Sequence, residues 1–181
     1  MTRVRAFLRD ETGTGPIEFV FVFPIIFMIF TVSFESSMFM ARHVMFDRAV
    51  DQVVRQIRLG NYRNFTHQNL KQRICEEGMM INSVATCMNN MKIWMQPINT
   101  GSFAMVAPPK NCVDRVQDVN LDEPPANEFA YGTDNDIMLL RICLKENPMF
   151  GAASAFAVGM STEPDGTYAL LVNSVFVNEP G

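Results

Sequence analysis

Apolar residues fall along the chain in two rhythms joined end to end. From Phe19 to Phe34 sixteen residues carry no charge, and only Pro24, Thr31 and Ser33 interrupt the apolar character. A helix built from them is hydrophobic on every side, which suits lipid or a protein interior and not a water-facing surface. At about 1.5 Å per residue the run covers roughly 24 Å, a little short of a hydrocarbon core. Continuation through Met38, Phe39, Met40 and Ala41, with Glu35 near the interface, makes up the difference. A buried core helix is the alternative, but the rest of the chain offers little apolar surface to wrap one. Beyond Glu35 the rhythm changes. Phe39, Phe46, Val50, Val53, Val54 and Ile57 recur at three- and four-residue steps, which marks one apolar face. Gly60 with Asn61 is a stop signal. One helix is therefore predicted from about Pro16 to Leu59, apolar half first and amphipathic half second. Pro24 removes a backbone hydrogen bond and is a candidate kink within the transmembrane half. The amphipathic face suits packing on a head domain, and a short coiled coil is the competing use.

Downstream the pattern shortens. Thr66 or Asn64 is placed to cap a helix over Gln68–Glu77 that breaks at Gly78. Met91, Ile93 and Met95 alternate with Lys92, Trp94 and Gln96, the period of a first strand. Residues 99–134 are rich in Pro, Gly, Asn and Asp and read as long connective loop, with a helical turn at 113–119. D-I-M-L-L-R-I-C-L-K (136–145) is a second strand and G-T-Y-A-L-L-V-N-S-V-F-V-N (166–178) a third. Between them, P-M-F-G-A-A-S-A-F-A-V-G-M (148–160) is apolar and small, either core or a contact patch. Strands with long loops behind a helix predict an α+β fold, a small antiparallel sheet packed on the long N-terminal helix.

Charge adds direction. Arg3, Arg5 and Arg9 precede the apolar run, and the positive-inside rule puts that end in the cytoplasm. A secretory signal peptide begins in the same way, but S-F-E-S-S-M-F-M-A after the block is a poor cleavage site. The informative residues lie ahead of it. Gly13 is followed by T-G-P-I-E-F, so a cut after Gly13 leaves Thr14 as N-terminus and Glu18 as fifth residue. A carboxylate at the lip of a membrane helix is costly to bury unless a partner neutralises it, and the α-amino group that such a cut would create at Thr14 would have the right charge. The other reading of Glu18 is a solvated end residue among headgroups.

A short basic leader, a Gly and a Glu five residues on within an apolar helix resemble the type IV prepilins. More narrowly, R-D-E-T-G-T-G-P-I-E-F-V-F-V-F-P-I-I-F resembles the TadE-like family, minor pilin-like proteins of the tight-adherence (Tad) pilus, in which Pro follows the Glu by six residues as Pro24 follows Glu18. The resemblance is closest over the first sixty or so residues. Farther on it consists of a cysteine pair, a D-I-x-x-x-R strand and a last strand ending in V-N-E-P. The family's aromatic-Trp-Pro segment is replaced by K-E-N-P-M-F.

The resemblance implies a pilin-like organisation. Residues 1–13 would be a cytoplasmic leader, 14–59 the transmembrane and amphipathic helix, and 60–181 an extracytoplasmic head. It implies cleavage between Gly13 and Thr14 by a prepilin peptidase and single-pass residence in the inner membrane. Glu18 would set register by meeting the amine of a neighbouring subunit. The implied partners are that peptidase, other Tad pilus subunits, the inner-membrane assembly platform and membrane lipid.

Composition narrows the remaining classes. Hydrophobic residues make up 48% and charged residues 19%, which fits a globular head with a membrane segment and excludes a disordered chain. Loss of residues 1–13 shifts the formal charge from −4 to −5, and no basic stripe argues for nucleic acid. The four cysteines Cys75, Cys87, Cys112 and Cys143 allow three pairings in an oxidising compartment. Cys75–Cys87 is favoured by proximity and by Gly78 between them, since an unbroken helix would hold the pair about 18 Å apart. Cys112 with Cys143 would then pin the long loop to the second strand. Buried free thiols are the alternative. No zinc spacing is present, and a lone Asp134-x-Asp136 is more often a solvated turn than a Ca²⁺ site. His43 falls on the helix and His67 in a polar stretch that reads as solvated. No G-x-S-x-G, Walker loop, H-E-x-x-H or dinucleotide turn occurs, so neither an enzyme nor a cofactor is expected. The rival class is an uncleaved, signal-anchored binding protein.

Overall fold

A computed structural model of the protein describes residues 14–59, 66–78, 83–102, 107–108, 112–113, 128–133, 135–150, 163 and 165–179. The expected leader with Gly13, the stop at Gly60–Asn61, Asn64, residues 114–119 of the expected turn, Asp134 and residues 151–160 lie outside them.

The two apolar rhythms form one element. Helix α1, Thr14–Arg58, runs for 45 residues and passes through Pro24. Arg55 and Arg58 lie in its last turn, where cations complement the carbonyl end of the helix. Its halves differ in what surrounds them. Ile17, Phe19 to Phe23 and Ile25 to Phe30 are all exposed, so this stretch stands bare. Phe46, Ala49, Val50, Val53, Val54 and Ile57 are buried, the face that the three- and four-residue spacing marks.

That buried face lies on a three-stranded antiparallel sheet in the order β1-β2-β3. The strands are β1, Met91–Ile98; β2, Ile137–Glu146; and β3, Tyr168–Val177. Pairing runs from Met91↔Leu144 to Ile98↔Ile137 on one side of β2 and from Ile137↔Val177 to Glu146↔Tyr168 on the other. The period of two sends Met91, Ile93, Met95, Met138, Leu140, Ile142, Leu144, Leu170, Val172 and Phe176 into one core with α1. Each such side chain fully withdrawn from water contributes about 1.5–3 kcal/mol. The architecture is α+β.

Two short helices close one side. Helix α2, His67–Glu77, is capped by Thr66, whose hydroxyl accepts the Asn69 N–H, and sends Leu70 and Ile74 into the core. Helix α3, Val84–Asn89, begins at a Ser83 cap that accepts the Thr86 N–H. The sequence pattern did not mark this six-residue turn. Gly78 ends α2, and Cys75 meets Cys87 across the break with Cα atoms 5.9 Å apart. Cys112 joins Cys143 on the opposite face of the sheet, beside Ala169 and Leu171. The free edge of β1 is met at Met95, whose N–H donates to the Glu128 carbonyl and whose carbonyl accepts the Ala130 N–H, both at 2.9 Å.

Candidate functional site

The place where the bare half of α1 enters the head combines the residues with functional promise. Exposed apolar side chains run from Ile17 to Phe30 and include Phe34, with Thr31 buried and Val32 half-buried between them. Gly15 to Phe34 spans roughly 30 Å, the thickness of a hydrocarbon core, without the continuation to Ala41. Met38, Phe39 and Ala41 are instead half-buried against the head. The helix is long and apolar enough to cross a membrane. Its hydroxyls are satisfied internally: Thr31, Ser33 and Ser36 donate to the carbonyls of Met28, Ile29 and Val32 at 2.8–2.9 Å. A spanning helix requires that its polar groups be satisfied in this way.

Glu35 closes the span. The sequence places it near an interface, but the head covers it, leaving 2% of it exposed. The Met149 N–H donates to both carboxylate oxygens at 3.0 and 3.1 Å, and the Phe150 N–H donates to Oε2 at 3.0 Å. Backbone N–H groups suit a buried carboxylate because charge-assisted hydrogen bonds offset part of its desolvation. Two turns along, the Arg42 guanidinium lies 3.6 Å from Glu146. The rings of Phe34 and Phe150 meet edge to face at 6.0 Å. Segment 146–150 is thus strapped to α1 at three levels. Beneath it Tyr168 packs edge-on against Phe39 at 5.5 Å, its hydroxyl buried with no hydrogen-bond partner. Burial, and secondarily the Glu35 charge, raise the Tyr168 pKa.

A second charged cluster fixes the turn into β3. Gly166 takes φ +76°, a left-handed conformation that glycine adopts without strain. Asp165 accepts the Thr167 N–H and hydroxyl and lies 3.1 Å from the buried Lys145, with Glu163 at 3.7 Å. The Thr167 hydroxyl first, and Lys145 after it, hold the Asp165 carboxyl at a pKa of about 2. This arrangement braces a buried lysine between two carboxylates.

Thr14 is the first residue of α1, and Glu18 lies exposed five positions into the helix counted from it. Pro24 lies within the bare stretch. His67 corrects the expectation of a solvated ring. It is buried at the start of α2, edge-on to Phe129 at 5.1 Å, with Nδ1 unpartnered. Desolvation, then the Lys71 charge, lower its pKa to about 4, against a hydrogen bond with the Ile93 backbone. Of the Asp134–Asp136 pair, Asp136 accepts the Thr133 N–H at 2.6 Å and the Thr133 hydroxyl at 2.9 Å. Among the described residues no three His, Cys, Asp or Glu side chains cluster in a way that could hold a metal. An open groove of about 550 Å³ separates Asp51, Arg55 and Arg58 of α1 from Ser174, Val175 and Glu179. Its charges are mixed, two carboxylates and two guanidinium groups.

The residues that the sequence reading missed are Glu35 and its strap. The available signal was a lone acid ending sixteen uncharged residues, but its partners lie 114 and 115 positions away. Compared with protein-family models, with curated proteins and with solved structures, the chain has no match in any of the three.

Proposed function

We propose that the chain is a membrane-anchored, pilin-like protein of the TadE type that takes part in assembly of a Tad pilus. One observation carries the reading: a single continuous helix whose first half is bare and apolar and whose second half is clamped to a small sheet. The sequence adds Arg3, Arg5 and Arg9 ahead of the helix, Gly13 before Thr14, and Glu18 on the first turns. The two disulfides support a head outside the inner membrane, where thiols are oxidised. In this reading a prepilin peptidase cuts after Gly13, and the chain is that protease's substrate and not itself an enzyme. Glu18 then meets the liberated amine of a neighbouring pilus subunit at the inner-membrane assembly platform. Lipid holds the bare half, and no nucleic acid or cofactor takes part.

N-terminal sequencing of the protein from cell membranes tests this. Thr14 is the expected first residue. An intact Met1 supports the other class, an uncleaved signal-anchored binding protein. Gly13→Ala should block maturation, while Glu18→Gln should leave maturation intact and assembly poor. Normal pili from both variants would overturn the proposal.

A further inference from the structure

The base of the head carries a small apolar projection at the level where the bare helix ends. Met149 is 52% exposed and Phe150 37%, although both backbone N–H groups are held by the buried Glu35. An exposed apolar pair on a loop this firmly tied is positioned, not merely left over. Its depth is set by two contacts. Glu35 follows Phe34, the end of the bare run, and the Phe150 ring lies against the Phe34 ring. Helical side chains lean toward the N-terminus, so the Phe34 ring covers the turn before its own Cα. Phe34 in turn stacks on Phe30 at 6.2 Å, so the Phe150 ring joins a short aromatic row, Phe30–Phe34–Phe150, that begins on the bare helix.

From this continuity we infer that Met149 and Phe150 form a second, interfacial membrane contact, seated at the boundary between lipid headgroups and acyl chains. The inference rests on the reading that α1 spans a membrane. The occupant is a lipid surface because the exposed patch adjoins the exposed apolar surface of the helix through the Phe34 ring. Aromatic and apolar side chains at that depth bury about 5–10 Å into the boundary. Glu35 supplies the orientation: its carboxylate holds the loop so that the side chains of Met149 and Phe150 stay exposed beside Phe34 while their N–H groups are satisfied. The head is then attached to the bilayer at two points, which fixes its tilt.

Tryptophan quenching by brominated phospholipids tests this on the full chain in phosphatidylcholine vesicles. Trp94 is the only tryptophan and is buried, so the parental chain supplies the background. Three variants are compared: Phe23→Trp in the bare helix, Phe150→Trp in the patch, and Val175→Trp, exposed at the end of the sheet beside Asp51 and Arg55. Met149→Trp replaces Phe150→Trp if that variant fails to form its disulfides. The expected result is loss of Phe150→Trp emission to bromines on the upper acyl carbons, loss of Phe23→Trp emission to deeper bromines, and no loss for Val175→Trp. Phe150→Trp emission at the parental level, with Phe23→Trp quenched, overturns the interfacial contact and leaves the spanning helix standing. Equal quenching of Phe150→Trp and Val175→Trp also overturns it, because the head would then adhere without selectivity. An unquenched Phe23→Trp removes the spanning helix, and the inference with it.

Discussion

A buried histidine with an unpartnered nitrogen gives the head a dependence on pH. The folded-state pKa of His67, about 4, lies below its ordinary value of 6.5. As pH falls, the unfolded chain therefore takes up the proton first. Stability from the neutral ring is complete above pH 6.5 and is lost as pH falls from there toward 4. Between about pH 7.5 and pH 5 the head should lose about 2 kcal/mol through this group, read by urea unfolding in mild detergent. His67→Leu should remove that part of the loss while keeping the apolar contact with Phe129. An unchanged pH profile in the variant would show that the ring is not desolvated. Among the described residues the Glu35 carboxylate is held by the Met149 and Phe150 N–H groups, so its replacement would leave buried donors unpaired, which is a different matter from the loss of a surface charge.

Helix α1 is one element in two environments, and substitutions should report the division. Phe46 is fully buried in the core, and Phe46→Ala should cost the head about 3–5 kcal/mol in denaturant unfolding. Phe21, at 72% exposure, should tolerate Ala within about 0.5 kcal/mol in the same measurement. A large loss from Phe21→Ala would mean that the first half packs on the head after all. The division was legible in the sequence because the apolar run and the three-and-four spacing abut with no breaker between them. The first strand was legible from Met91, Ile93 and Met95 alternating with Lys92, Trp94 and Gln96, and the second as the short apolar run D-I-M-L-L-R-I-C-L-K. The pattern did not show that Trp94, on the other face, is buried as well, or that the β1 edge is bridged at Phe129. Helix α3 escaped notice because six residues carry too little period to register. The burial of Glu35 and His67 follows from partners distant in sequence, which no local window contains.

At the scale of the molecule, the head is held by one core and two covalent ties. Cys75–Cys87 closes a separation of 12 residues and Cys112–Cys143 one of 31, contributing about 3 and about 4 kcal/mol in the chain-entropy account. A Cys75→Ala/Cys87→Ala double variant should lower the unfolding free energy by about 3 kcal/mol. Reductant should lower the denaturation midpoint of the parental chain and leave less to lose in the double variant. If reductant changes neither midpoint, the bridges are absent in the isolated protein. The sequence favoured Cys75–Cys87 through proximity and the break at Gly78 and left Cys112–Cys143 as the remaining pair, while the meeting of Cys112 with the outer face of the sheet required the β-strand register to be known.

Because α1 crosses from the bare stretch into the core as one unbroken helix, and because Glu35 and Arg42 rivet segment 146–150 to it at the crossing, no swivel separates the two halves there. A lean or a roll of the shaft between Pro24 and the crossing is handed upward to the head, so whatever grips that stretch also aims the head.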